Sequence, residues 1–189
     1  AEAQGLRNFF LLSAQKLVPP VMRALLDGRE TCVDGFLLPG HVAVVTGTAT
    51  FDFLAQEYHI PGVVGGFEPL EILRAIHMLV RQIGMDEARI ENAYETVVRR
   101  EGNPVARAAI DRVYEPATVR WRGLGEIPAS GLSMREEYAQ YDFARVRPLA
   151  AGAVGDGRHG CRCGEVLRGA IMPRDCNLFG RACVPEHAV

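Results

Sequence analysis

Short apolar runs and longer stretches at helical spacing succeed one another along the first 146 residues, and their order predicts the elements. Asn8–Ala14, NFFLLSA, is a compact apolar run suited to a buried strand. Pro19-Pro20 then opens a helical stretch, VMRALLDG, that ends at Gly28. Gly35–Leu38 leads to a turn at Pro39-Gly40. His41–Thr46, HVAVVT, is β-branched and predicts a strand closed by Gly47. Thr48 or Thr50 is a candidate cap for a helix over FDFLAQEY. IPGVVGG predicts a second buried strand, and Phe67-Glu68-Pro69 leads into the helix PLEILRAIHMLVRQIG, whose Leu73, Ile76, Val80 and Ile83 form one apolar stripe.

Beyond Asp86 the spacing of Ile90, Tyr94 and Val97 predicts another helix, running to Glu101 and stopped by Gly102. Asn103-Pro104 is a cap followed by a first-turn proline, and it starts the helix VARAAIDRVY. Val119–Leu124, VRWRGL, predicts a strand with a looser tail through Asp142. Alternation of strands and helices over short connections argues an α/β fold with a mostly parallel sheet flanked by helices. A Gly-rich link, AGAVGDGRHG, follows. The expected organisation is therefore an α/β domain over 1–146, with the link and a small carboxy-terminal cysteine-rich metal-cluster segment over 147–189.

Composition adds bounds rather than direction. Of 189 residues, 48% are hydrophobic and 23% charged, as in ordinary globular chains, and the formal net charge of −2 gives no bias toward nucleic acid or anionic membrane. Lys16 is the only lysine, against scattered arginines accompanied by acids. No apolar stretch reaches membrane-spanning length, and AEAQGLRN has neither the charged nor the apolar region of a secretory signal, so a cytoplasmic location is expected. The start without methionine and the ending at PEHAV lead us to expect a fragment of a larger protein.

Chemistry concentrates at the carboxy-terminal end. Cys161, Cys163, Cys176 and Cys183 follow the spacing C-x-C-x12-C-x6-C. In a reducing compartment, clustered thiols hold metal or do redox work. The spacing is not that of zinc knuckles, which use C-x2–4-C pairs, nor a standard ferredoxin run. An iron–sulfur cluster and a structural zinc site both remain open, with a disulfide set a distant third. Gly160, Gly164, Gly180 and Pro173 flank the thiols.

Elsewhere the candidates are single residues. His41 in PGHV and Glu68 in GFEP sit where strands turn into helices, the usual ligand edge of an open α/β sheet. Against that, His41 can be a structural turn residue, and Glu68 can simply complement a helix N-terminus. Cys32 is expected to be a small buried hydrophobe. His77 and Asp86 are expected to be structural, and Trp121-Arg122 to lie on an edge strand with solvated arginines. His159 could add a group beside the thiols. No dinucleotide or P-loop glycine pattern occurs.

Taken in order, NFFLLSAQKLVPP, GFLLPGHVAVVTG, GGFEPLEIL, EGNPVARAAI, WRGLGEIPASGL and CRCGEVLRG…DCNLFGRAC resemble the hydrogenase maturation factor HypD family through nearly the whole chain. The resemblance implies a scaffold and electron-transfer factor, rather than a turnover enzyme. Its task would be building the Fe(CN)2CO centre of nickel–iron hydrogenases. It implies a 4Fe-4S cluster on Cys161, Cys163, Cys176 and Cys183, partnership with a small HypC-type chaperone and a HypE-type cyanide donor, and His41 and Glu68 facing a central cleft. The family's amino-terminal cysteine motifs, which are expected to hold iron and cyanide, have no counterpart here, and the family continues beyond this chain's end. The competing readings are a zinc-stabilised α/β interaction module, and a small-molecule enzyme using His41 and Glu68.

Overall fold

The computed structural model describes residues 1–28, 31–147 and 160–189. In chain order the elements are α1 (Val18–Leu26), β1 (Phe36–Pro39), α2 (Gly40–Thr46), α3 (Asp52–Tyr58), β2 (Gly62–Gly65) and α4 (Pro69–Gly84). Then come β3 (Ile90–Asn92), α5 (Pro104–Val113), β4 (Tyr114–Trp121), β5 (Gly125–Met134), α6 (Phe143–Val146) and α7 (Cys163–Leu167). The chain divides into two compact units: Cys32–Arg112, and a second built from both flanks, Ala1–Thr31 with Val113–Val189. The Gly-rich link, apart from Gly160, lies outside the described residues, as does His159.

The inner unit is the expected α/β layer. Its sheet is parallel, in the order β1-β2-β3, with Phe36 opposite Gly62 and Gly62 opposite Ile90. Strand β2 reads as a continuous apolar run because it is covered on both faces: Val63 and Val64 are fully buried. Val63, Ala75 and Ala93 form a core cluster, with Met78 and Leu79 packed against it.

Two elements of this unit differ from the pattern reading. HVAVVT is not a strand but part of helix α2. The strand is the preceding FLLP, and the chain turns helical at Gly40, whose missing Cβ leaves room for the Gly65 carbonyl 2.4 Å away from where a Cβ would stand. β-branched residues only weakly disfavour a helix, and tertiary packing overrides them here: α2 buries Gly40 and Ala43. The predicted helix 86–101 is instead β3 followed by turns. Asn92 offers the backbone a rival to helix, accepting from the Tyr94 N–H at 2.9 Å and donating to the Val98 carbonyl at 2.9 Å. Asp86, at φ 54°, has already broken the helical path.

Helix α4 begins as expected with Pro69 in its first turn, and Glu68 and Glu71 form a reciprocal capping box. Its apolar stripe does not face the sheet, however. Ala75 and Gln82 are the buried positions, while Leu73, Ile76, Val80 and Ile83 are exposed. Gln82 is fully buried, donating to Glu91 Oε2 at 2.6 Å and accepting from the Arg89 N–H at 3.0 Å. Replacing Gln82 by leucine strands both partners and is expected to cost about 1–3 kcal/mol in urea unfolding. Arg81→Ala, which removes a half-exposed ion pair with Glu91, should cost less than about 1 kcal/mol in the same measurement. The expected threonine cap of α3 is absent. A 3-10 turn over Thr48–Phe51 precedes that helix, and its N-cap is Phe51, with no side-chain bond.

The second unit contains an antiparallel hairpin, β4–β5, with an irregularity between Ala117 and Val119. The predicted strand 119–124 is thus the end of β4 and its turn, and the loose tail holds a ten-residue strand. Pro116 and the glycines at 123, 125 and 131 hid this hairpin from the pattern. At Gly131 a Cβ would lie 2.4 Å from Val119 Cγ1, so the glycine is there for cross-strand packing. The segment 8–14 is not a buried strand. Leu11 makes one bridge, donating to the Tyr141 carbonyl and accepting from the Phe143 N–H, both at 2.8 Å. With no partner strand alongside, Phe9, Leu11 and Leu12 remain exposed. Helices α1 and α5 lie where proline and asparagine signals place them.

Candidate functional site

The four clustered cysteines come together. Cys161, Cys163, Cys176 and Cys183 line one cavity of about 490 Å³ in the second unit, walled mainly by Trp121, Val166, Leu167, Pro173, Leu178 and Phe179. Local structure explains how spacing so uneven converges. Cys163 opens α7, with Cys161 two residues before it. Cys176 closes a 3-10 turn over Pro173–Asp175, and its N–H donates to the Pro173 carbonyl at 3.1 Å. Cys183 ends a loop pinned to Leu178 by an N–H···O bond of 2.8 Å and to Gly180 by one of 3.0 Å, with Gly180 supplying the left-handed turn at φ 71°.

The two sides of the cavity differ electrostatically. Backbone N–H groups of Arg162 and Leu178 point at the Cys176 sulfur, joined by that of Phe179 and by the Arg162 charge, and they hold its thiol below the usual range. Burial pushes the Cys163 thiol up, helped by neighbouring Cys161. In metal-free protein, alkylation of Cys176 is therefore expected to set in at lower pH than that of Cys163, since the thiolate is the nucleophile. Peptide mass spectrometry after iodoacetamide treatment over a pH series checks the order. Arg162 also forks onto Glu165, with Nε donating to Oε1 at 2.8 Å, and draws that carboxyl below its ordinary value.

The cavity's remaining wall comes from the β4–β5 hairpin, which the sequence did not connect to the thiols. The tip residue Gly123, at φ 73°, lies directly on α7: a Cβ there would stand 2.5 Å from Cys163 Sγ and 2.7 Å from the Gly164 nitrogen. Conversely, a Cβ on Gly164 would meet the Gly123 carbonyl oxygen at 2.1 Å. Trp121 ends β4, an edge strand of the two-stranded hairpin, and Arg120 and Arg122 on either side of it are exposed, as expected. The Trp121 Nε1–H donates to the buried Ser130 Oγ at 2.8 Å, and Lys16 Nζ sits 5.2 Å from the indole ring centre. Two glycine-rich pieces, WRGLG and CRCG, were visible in the sequence; nothing in either named the other.

The donor set fits an iron–sulfur cluster. Such clusters are held by four cysteine thiolates, and this set supplies four, with apolar walls and amides aimed at one sulfur. Among the described residues, no three His, Cys, Asp or Glu side chains gather closely enough for a single ion.

His41 and Glu68 occupy the carboxyl edge of the parallel sheet in the inner unit, where β1 passes into α2 and β2 leads to α4. The His41 ring is exposed and lies 5.3 Å from the Phe67 ring, tilted by 39°. Glu68 is committed to capping α4. His77 is exposed on α4, and Cys32 is exposed rather than buried, because its segment precedes β1 outside the core. No helix among the described residues is long and apolar enough to cross a membrane.

Against known proteins, the HypD family model, described as the hydrogenase formation hypA family, matches residues 1–189. The chain belongs to the HypD family. It is 43% identical over 190 residues to the hydrogenase maturation factor HypD of Rhodobacter capsulatus, covering 98% of this chain and 50% of that protein. With the HypD of Escherichia coli K12 it shares 40% over 190 residues, covering 100% of this chain and 50% of the relative. The Cupriavidus necator HypD is 38% identical over 194 residues, covering 99% and 51%. The chain spans about half the length of these HypD relatives.

Proposed function

We propose that this chain acts in nickel–iron hydrogenase maturation, as the part of a HypD-type scaffold that carries a 4Fe-4S cluster on Cys161, Cys163, Cys176 and Cys183. One observation carries the reading: four thiols that are scattered over 23 positions line a single apolar-walled cavity. Membership of a family whose relatives bear the name hydrogenase maturation factor gives that cavity its context. When bound, the cluster would supply single electrons for redox work during assembly of the Fe(CN)2CO centre. The chain's own residues do the rest. The amides around Cys176 favour its thiolate, and hydrogen bonds to ligand sulfurs are one of the levers that set cluster potential. Apolar side chains wall the half-buried thiols, and Gly123 and Gly164 let the hairpin close on Cys163.

In the same reading a small HypC-type chaperone and a HypE-type cyanide donor are the partners, and the role is assembly and electron transfer, not turnover. His41 and Glu68 are assigned to the edge of the assembly cleft: His41 as the exposed group, Glu68 as the residue that fixes the start of α4.

Iron, sulfide and zinc per chain after anaerobic purification decide between this reading and a zinc-stabilised module. About four irons and four sulfides per chain are expected, with a broad absorption in the visible that is lost in the Cys161→Ser, Cys163→Ser double variant. One zinc and no sulfide, even after anaerobic reconstitution, would sink the cluster assignment.

A further inference from the structure

The outward stripe of α4 is the largest feature of the inner unit that its own packing leaves unexplained. Leu70 is 78% exposed, Leu73 63%, Val80 62%, Ile83 43% and Ile76 40%. The other side of the helix is already used, since Ala75, Leu79 and Gln82 face the sheet and β3. At 100° per residue the stripe is centred about a third of a turn from those positions, Ile76 and Ile83 bordering Leu79 and Leu73 and Val80 lying farther round, so the sheet that covers the one leaves the other outside. Leu73, Ile76, Val80 and Ile83 follow a 3-4-3 spacing, the narrow a/d seam by which one helix receives another. Arg74 and His77 stand exposed along one flank of that seam, and Arg81 continues it.

We infer that α4 is the docking surface for a helix of a separate partner protein, one with an apolar seam of its own and acidic residues along its flank. The spacing decides the shape of the occupant and the flank decides its charge. A second copy of this chain fits less well, because antiparallel pairing of two α4 helices brings each basic flank against its twin, placing Arg74 beside Arg81. A lipid surface also fits less well. Helices that lie on membranes carry basic residues on both borders of the apolar face, whereas this one is basic on one border only, its other border being Leu79 of the buried side. Docking of this kind adds a protein-binding face in the unit that does not hold the thiols, and it is independent of what fills the cysteine cavity.

Two synthetic amphipathic helical peptides test it, alike in a leucine seam, one with glutamate flanks and the other with lysine flanks. Fluorescence anisotropy at low salt is expected to show the acidic peptide binding at least about tenfold more tightly than its twin. Val80→Glu should abolish binding of the acidic peptide without lowering the unfolding midpoint, because Val80 is on the surface. Arg74→Glu should reverse the preference between the peptides. Failure of both peptides to bind, or equal binding of the two, would overturn the proposal. So would a dimer, seen by sedimentation, that Val80→Glu dissociates, or binding to phosphatidylserine vesicles with no peptide binding.

Discussion

On the cluster assignment proposed above, Gly164→Ala is expected to lower iron and sulfide content to near zero although every thiol is still present. The added Cβ would stand 2.1 Å from the Gly123 carbonyl oxygen, and that oxygen belongs to backbone, not to a side chain that can swing aside. Either the hairpin tip or the start of α7 must retreat by about 1 Å or more to restore ordinary contact. Cys163 opens α7, and the same tip touches its sulfur, so the retreat moves a ligand. Four thiolates fixed around one cluster tolerate little such displacement. Gly84→Ala is the matched control: nothing lies within 4 Å of its added methyl, and its φ is ordinary. Iron and sulfide analysis of both variants, purified side by side without oxygen, should show near-complete loss in the first and wild-type content in the second. Full retention in Gly164→Ala would mean that the hairpin does not help to shape the site.

Gly47→Ala is expected to be the most destabilising single methyl in the inner unit. Gly47 adopts φ 84° and ψ 161°, a region that is nearly glycine's alone. A Cβ there would lie 2.2 Å from the Arg100 carbonyl oxygen and 2.6 Å from the Gly102 nitrogen. Gly102 returns the approach, since its own Cβ would meet the Val45 carbonyl oxygen at 2.4 Å. Two backbone segments therefore cross with nothing between them, and they are tied by Thr48 N–H to Arg99 C=O at 3.3 Å and Asn103 N–H to Val45 C=O at 3.0 Å. Strain and clash together should cost more than about 3 kcal/mol, a large share of the roughly 5–15 kcal/mol that holds a typical domain. Urea unfolding followed by circular dichroism measures it. A loss below about 1 kcal/mol would show that the crossing relaxes freely.

The elements that could be read from the sequence are those with local punctuation. Pro19-Pro20 starts α1, Pro69 starts α4 and Asn103-Pro104 starts α5, each by a rule that acts within one turn. The misread elements depend on what lies across the fold. HVAVVT is helical because Gly40 and Ala43 have to pack closely, and Ile90–Asn92 is a strand because β2 offers it a ladder. In α4 the amphipathic pattern was legible but not its direction. A stripe announces that something covers it, without saying that the cover is the helix's own sheet. At the site, the four cysteines were legible as a group because they are close in sequence. The hairpin tip that closes on them is some forty residues away, and a glycine chosen for close approach looks like any other loop glycine.

The division of the chain also bears on when the cavity can form. The unit holding the thiols is joined from both flanks: Ser13 Oγ donates to the Leu132 carbonyl across 119 positions, and the Leu17 N–H donates to the Ser130 carbonyl. The unit between those flanks has all of its strands encoded consecutively. On the ribosome that inner unit can complete its sheet while the first thirty residues wait, because domains fold as units once their residues have emerged. The thiol-bearing unit must wait for Cys183 and for the return of the opening segment, a long-range closure of the kind that slows folding. The cavity therefore closes after the inner unit's sheet, and whatever the four thiols take up reaches a chain that already carries one folded unit.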